Sequence, residues 1–256
     1  MRTSRSGATT GMLGVAVVIP ALDEERAIAG VLDELGAHTG WTAMPRDARA
    51  LACAVREIVV VDNGSADATA QVARACGATV VSEPRRGYGA ACLAGLAFLR
   101  SRPPAVVAFL DADGSDDPRD LPRLLEPLVD GVADLVVGSR ALGASEPGSL
   151  TRVQAFGNRL ATLMLRGCFG VLASDLGPFR AVRWEALERL GMRDRGYGWT
   201  VEMQARAARA RLRTVEVPVR SRRRRAGRSK VSGTVRGVWG AGTTIPLTIL
   251  RVRLGG

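Results

Sequence analysis

With 256 residues and a 46% hydrophobic share, the chain can bury a proper core, as one large domain or two small ones. The formal net charge of +11 is uneven: residues 204–256 carry 14 Arg or Lys against the single acid Glu216, so the preceding body is close to neutral and an anionic partner is expected at the C-terminal end. A lone histidine, His38, argues against a His-based zinc site or a Ser-His-Asp triad, and four cysteines without a C-x-x-C pair read as reduced thiols of a cytosolic chain.

Residues 1–14 read as a disordered leader, too polar and too short in apolar run for a signal peptide. Val15–Pro20 has the uninterrupted apolar character of a parallel strand covered on both faces. Asp23, Glu24 and Glu25 then open a helix to about Gly36, and His38–Ala54 reads as a loop with a short helix. Glu57–Asp62 is the second strand, followed by a turn at Asn63–Asp67 and a helix to about Cys76; Ala78–Val81 is the third. Gly87-Tyr88-Gly89 opens an alanine-rich helix ending near Arg100, Val106–Leu110 is a strand, Pro118–Asp130 a helix and Asp134–Arg140 a strand.

Ala141–Leu150, rich in Gly, Ser and Pro, is expected to be a mobile loop. Thr151–Phe169 is an amphipathic helix with Val153, Phe156, Leu160, Leu163 and Met164 near one side, which either packs or meets lipid. A turn and short strand at Ser174–Arg180, helices at Trp184–Leu190 and Trp199–Arg211 and a strand at Arg213–Val219 follow. Val235–Leu250 is apolar but broken by Gly and Pro246, and reads as an interfacial segment. No stretch reaches the roughly 18–20 consecutive apolar residues of a membrane span.

Alternating strands and helices imply an α/β fold with a mostly parallel sheet, whose ligands bind beyond the carboxyl ends of the strands. Those ends carry Pro20, Asp62 and the Asp111–Asp113 stretch. Asp111 and Asp113, two apart on a strand, would face the same way and hold one divalent cation; the ordinary alternative is an acidic turn. A Rossmann dehydrogenase is disfavoured, because Pro20-Ala21-Leu22-Asp23 stands where its glycine fingerprint belongs and Gly87-x-Gly89 meets Cys92 at the third position.

Four motifs occur in order: Val17-Val18-Ile19-Pro20-Ala21-Leu22-Asp23-Glu24, Val61-Asp62-Asn63-Gly64-Ser65-Ala66-Asp67-Ala68-Thr69, Gly87-Tyr88-Gly89-Ala90-Ala91 and Asp111-Ala112-Asp113. Together they resemble the inverting family 2 glycosyltransferases of GT-A fold, and within them the dolichyl-phosphate mannose synthase and polyprenyl-phosphate glycosyltransferase branch, over roughly residues 15–236. The resemblance implies a GT-A, Rossmann-like central sheet flanked by helices, with a nucleotide-sugar half at 15–140, an acceptor half at 141–220 and a basic, interfacial tail at 221–256.

It further implies that Pro20, Leu22 and Glu24 line the base and ribose pocket, that Asp62 accepts a nucleobase N–H, and that Gly87, Asp111, Ala112 and Asp113 complete the donor site. Asp111 and Asp113 would hold Mg²⁺ or Mn²⁺ on the donor diphosphate, although Ser115 stands where the mannose synthases often carry Gln. The Gly196–Gln204 stretch lacks the paired acids that serve as a base for hydroxyl acceptors, whereas an ionised phosphate needs none. The cations such a phosphate needs are present as Arg140, Arg152 and Arg224-Arg225-Ala226-Gly227-Arg228-Ser229-Lys230, the last stretch matching the branch's R-x-x-G-x-S-K, so that Arg140, Arg152, Arg224, Ser229 and Lys230 would bind the acceptor. Lys230 is the only lysine in the chain.

Catalysis would fall to Asp113, Arg140 and Arg224, while Asp175 and Glu202 would touch sugar or acceptor. The implied activity is hexose transfer from a UDP- or GDP-linked sugar to a polyprenyl phosphate, peripherally on an anionic membrane at the inner face of the cell membrane. Two alternatives stay open: a GT-A enzyme using a soluble acceptor, and a noncatalytic membrane- or RNA-binding protein using the basic tail. Absence of interleaved aromatics counts against a dedicated nucleic-acid binder.

Overall fold

The strands expected up to residue 140 and at 213–219 form in the computed structural model, which describes residues 13–36, 53–225 and 235–255, while the short strand expected within Ser174–Arg180 begins only at Arg180. The strands are β1 (Leu13–Ala21), β2 (Cys53–Asp62), β3 (Thr79–Ser82), β4 (Val106–Phe109), β5 (Leu135–Ser139), β6 (Arg180–Arg183) and β7 (Thr214–Pro218). They form one seven-stranded sheet ordered β3-β2-β1-β4-β6-β5-β7. Pairing is parallel except where β6 runs antiparallel between β4 and β5.

Strand alternation sorts side chains into two layers. Val15, Val17 and Ile19 pack on one face with Ile28, Val31 and Leu35 of α1 (Ile28–Gly36) and Leu124 and Leu128 of α4 (Leu121–Val129). Ala16 and Val18 point the other way, towards Leu96 and Leu99 of α3 (Tyr88–Leu99), Leu187 of α6 (Trp184–Leu190) and Trp199 and Met203 of α7 (Trp199–Arg209). The Phe109 and Trp199 rings meet edge to face at 5.8 Å. The short α2 (Thr69–Ala75) lies between β2 and β3.

A third cluster joins α5 (Arg152–Phe169), α7 and α8 (Val235–Arg253) through Ala161, Leu165, Val201, Ala205, Ile249 and Val252. The apolar segment from Val235 is therefore a single 19-residue helix that continues through Pro246, and its C-terminal part docks on the body. Among the described residues no helix is long and apolar enough to cross a membrane.

Two expectations need correction. Asp23, Glu24 and Glu25 do not open the first helix, which begins at Ile28. Their amides are used elsewhere: Asp23 N–H donates to Ser65 Oγ (3.0 Å), Glu24 N–H to Thr69 Oγ1 (2.8 Å) and Glu25 N–H to Asp67 (3.2 Å). The second concerns β4, whose ladder stops at Phe109; Leu110 N–H makes a last bond to Val18 and the chain turns. Asp111 and Asp113 thus sit in a turn rather than on the strand. The leader up to residue 12, His38 and most of its expected loop lie outside the described residues.

Candidate active site

The edge at the carboxyl ends of β1, β2 and β3 is built from loops laced to one another. Besides the three bonds above, Ala66 N–H donates to Asp23 Oδ1 (2.8 Å) and Ala68 N–H to Glu25 Oε2 (3.1 Å), so the turns after β1 and β2 hold each other in both directions. Asp23 takes φ = 51° to do this. Pro20 pairs with Val61, and Asp62 closes its own turn by accepting Ser65 N–H at 3.2 Å through Oδ1. Leu22 is half-buried beside them.

Asn63 ties in the third loop: its amide donates to the Glu83 and Arg85 carbonyls (2.9 and 2.8 Å) and its oxygen accepts Gly87 N–H (2.7 Å). Gly87 and Gly89 are fixed by closeness rather than by composition. A Cβ at Gly87 would stand 2.1 Å from the Arg195 carbonyl oxygen and one at Gly89 2.0 Å from that of Asp194. The start of α3 is thereby pressed against the 193–198 loop, where Ala90 N–H donates to Arg195 O at 2.9 Å.

At the centre lies the turn after β4. Asp111 is half-buried; its Oδ1 is fully buried, with the buried Tyr88 hydroxyl as its neighbour. Burial first, and then the negative charge of Asp113, push its carboxyl up to about 6. Ala112 points into the core. Asp113 is engaged at both oxygens: Oδ1 accepts Ser115 N–H (2.8 Å) and Oδ2 meets Arg224 (2.8 Å). Two carboxylates in one turn, one of them raised by burial and by the charge of the other, fit a hard divalent cation, for which oxygen ligands suit Mg²⁺ or Mn²⁺. No three His, Cys, Asp or Glu gather into a complete cage among the described residues, so donor phosphate oxygens would finish the coordination.

Arg224 arrives on a strap, residues 220–225, that runs beside the turn. Arg222 N–H donates to Ser115 O (2.7 Å) and Arg225 N–H to Asp113 O (3.1 Å). The strap's other side pins the loop expected to be mobile: Ser221 N–H donates to Ala144 O (3.0 Å) and Glu146 N–H to Ser221 O (2.8 Å). Arg224 also meets Glu24 at 2.8 Å, so one guanidinium joins an acid of the loop after β1 to an acid of the turn after β4. Its neighbours are paired as well, Arg220 with Asp120 (2.9 Å) and Arg222 with Glu34 (2.9 Å) and Asp117. In the run Arg222, Arg224 and Arg225 are ion-paired, while exposed Arg223 donates through Nε to the Pro147 carbonyl (2.7 Å). Against the upward push of burial, hydrogen bonds from Arg119 and Arg222 hold Asp117 well below the usual carboxylate range.

Arg140, just past β5, lies under a bidentate clamp: Nε to Asp175 Oδ2 and Nη2 to Asp175 Oδ1, both 2.8 Å. Burial alone would lower this guanidinium, yet the Asp175 hydrogen bonds and charge raise it above the ordinary arginine value. Asp175 therefore positions Arg140 and has neither oxygen unengaged for a sugar hydroxyl. Glu202 is likewise turned inward, accepting the Arg193 and Asp194 amides and Arg206 Nε (2.7 Å), and so holds the 193–198 loop that packs on α3. Arg180, fully buried, is satisfied by the Gly177 (3.0 Å) and Thr200 (2.8 Å) carbonyls; burial lowers it to about 10.

The Glycosyl transferase family 2 model matches residues 16–191. The chain belongs to this family. An uncharacterized glycosyltransferase of Mycobacterium tuberculosis is 42% identical over 225 residues, covering 87% of this chain and 92% of that one. The polyprenol monophosphomannose synthase of Mycolicibacterium smegmatis is 34% identical, covering 72% and 73%, and the undecaprenyl-phosphate mannosyltransferase of Micrococcus luteus is 33% identical, covering 71% and 78%. Among solved structures, glucosyl-3-phosphoglycerate synthase of Mycobacterium tuberculosis, in complex with Mn²⁺, UDP-glucose and phosphoglyceric acid, superposes with a TM-score of 0.73 at 25% identity over 94% of this chain and 80% of that one. The sheet is accordingly that of a GT-A glycosyltransferase.

For this glycosyltransferase the structure brings Glu24, Asp111, Asp113, Arg140 and Arg224 into one electrostatic group, since both arginines act on the Asp111 carboxylate. Arg152 stands apart, exposed at the first turn of α5. Ser229 and Lys230 lie outside the described residues. Two residues were missed from sequence. Asn63 looked like a turn former, and only its three bonds reveal a clip. Asp116 is buried, its Oδ2 has no partner, and burial followed by the charge of Asp111 raises its carboxyl well above the usual value. The available signal was its place among four aspartates in Asp111–Asp117.

Proposed function

We propose that this glycosyltransferase moves a hexose from a nucleoside diphosphate sugar to a polyprenyl phosphate, with inversion at the anomeric carbon, in association with an anionic membrane surface. The observation that carries the reading is the convergence of Arg140 and Arg224, from two separate segments, on the Asp111–Asp113 turn. Cations there suit an ionised acceptor that brings no proton to remove. The relatives named for undecaprenyl and polyprenol phosphate mannosylation support the same acceptor class.

In this reading Pro20, Leu22, Glu24, Asp62 and Gly87 bind the nucleoside, and Asp111 and Asp113 would hold the Mg²⁺ or Mn²⁺. That ion, when bound, would neutralise charge on the departing diphosphate. Arg224 lets go of Asp113 and Glu24 as donor enters, and turns to phosphate oxygens. Arg140, held rigid by Asp175, orients the acceptor phosphate, with Arg152, Ser229 and Lys230 adding positive charge or hydrogen bonds. An acceptor oxygen attacks the anomeric carbon in line; the bond from that carbon to the diphosphate breaks, and its electron pair leaves with the nucleoside diphosphate.

The superposition on glucosyl-3-phosphoglycerate synthase favours a second reading, with a soluble phosphorylated acceptor. A panel of labelled UDP- and GDP-sugars, offered with polyprenyl phosphate or with 3-phosphoglycerate, with divalent cation or chelator, separates the two. Label in the lipid fraction supports the first reading. Label only in 3-phosphoglycerate replaces it with the second, and cation-independent RNA binding with no transfer removes both.

A further inference from the structure

The helix α5 has two faces. One packs inward through Ala161 and Leu165, while Asn158 accepts Leu176 N–H (2.8 Å) and donates to Ser174 O (3.4 Å). Of its apolar stripe only Met164 packs, partly buried; Val153, Phe156, Leu160 and Leu163 are exposed, Phe156 by 71% and Leu163 by 64%. Their steps of three and four residues put them on one side of the helix. Arg152, Arg159 and Arg166, at heptad spacing, run along the flank of that stripe, all exposed and without an ion-pair partner among the described residues; α5 contains no acid.

The adjoining α8 repeats the pattern, with Ile249 and Val252 buried, Leu247, Leu250 and Leu254 exposed, and Arg251 and Arg253 exposed beside them. Two neighbouring helices thus each present an outward leucine-rich stripe edged by arginine. Isolated exposed leucines need no explanation, but a stripe of this kind does.

We infer that the outward faces of α5 and α8 form a docking surface for a bilayer containing anionic lipid. Phe156, Leu160 and Leu163 would enter the headgroup and acyl boundary, and the arginine stems would lie along the same surface with their charges at the phosphates. Charge selects this occupant over a second copy of the chain, because a two-fold pairing through α5 would bring arginine rows against each other with no acid on the helix to answer them. The surface is also coupled to the site: Asn158 holds the residues on either side of Asp175, which clamps Arg140. The inference deepens the proposed lipid acceptor, and it moves the membrane contact from the basic strap, where Arg220, Arg222, Arg224 and Arg225 are ion-paired, to α5 and α8.

Flotation of the full chain with phosphatidylcholine vesicles, with and without phosphatidylglycerol, provides the test. The wild type is expected to float with the anionic vesicles and much less with the neutral ones. Phe156→Glu with Leu163→Glu should lower partitioning by about tenfold or more, and Arg159→Glu with Arg166→Glu should remove the preference for anionic lipid. Val132→Glu, exposed elsewhere, should change nothing. Unfolding temperatures, and transfer to a short water-soluble prenyl phosphate, should match wild type in every variant. Undiminished flotation of the Phe156/Leu163 variant overturns the inference, as does a wild-type dimer in light scattering that this variant splits into monomers. Lost flotation in that variant supports the surface even if no prenyl phosphate is ever glycosylated, an outcome that would remove only the proposed acceptor.

Discussion

The donor edge and the acceptor side solve opposite electrostatic problems. At the proposed donor edge carboxylates are buried close together: burial and neighbouring negative charge push Asp111 and Asp116 upward, and Asp116 Oδ2 has no hydrogen-bond partner among the described residues. On the acceptor side every central arginine is already answered, Arg140 by Asp175 and Arg224 by Glu24 and Asp113. In the proposed reaction the first region takes a cation and the second an anion; glycosyl transfer to a phosphate would need both in contact, and Arg224, which meets Asp113 and Glu24, spans them.

The comparison is broken most severely at Asp113. Asp113→Ala should lower sugar transfer by about a thousandfold or more with an unchanged unfolding temperature, and a chelator should do the same to wild type; transfer at the wild-type rate would remove Asp113 from the mechanism. Next comes the clamp. Asp175→Ala strands a buried guanidinium, so unfolding should cost about 3–5 kcal/mol less, measured by denaturant titration, while Arg140→Lys should keep the fold and raise the acceptor KM because a single ammonium cannot replace the fork.

A finer test uses Arg224→Ala. Removal of the resident guanidinium should tighten Mn²⁺ binding in the absence of donor, read by electron paramagnetic resonance, yet slow transfer by about tenfold. Weaker Mn²⁺ binding would mean that Arg224 supports the cation site rather than competing for it.

The smallest effect concerns pH. Because Asp111 is raised to about 6 in the fold against 3.8 for the free group, the native state loses stability as pH climbs through that window. Asp111→Asn should therefore stabilise the cation-free protein at pH 7.5, on the order of 1 kcal/mol or about 2–4 °C, and change little at pH 5. Equal effects at both values would show that charge at Asp111 is not what the fold resists.

Much of this architecture was legible before any coordinates. The apolar runs Val15–Pro20, Glu57–Asp62, Val106–Leu110 and Asp134–Arg140 each hold a strand, because a strand covered on both faces leaves a local, continuous trace. The order of motifs placed Pro20, Asp62 and Asp111 at one edge for the same reason. The acids after β1 were misread because a helix start and a loop that spends its amides on a distant turn have the same local composition. Glu202 and Asp175 were read as ligand contacts; what each of them holds lies in another segment.

Sequence by itself therefore determined the strands, the donor edge and the excess of positive charge near the C-terminus, all of which rest on residues adjacent in the chain. Tertiary structure alone decided where that charge goes and which apolar face stays outside. Arg224 reaches Glu24 across 200 residues of chain, and no periodicity records such a pairing. The α5 stripe would look the same in sequence whether it packed or faced outward; the choice was made when Ala161 and Leu165, on the other face, closed against α7 and α8 and left Phe156 and Leu163 exposed.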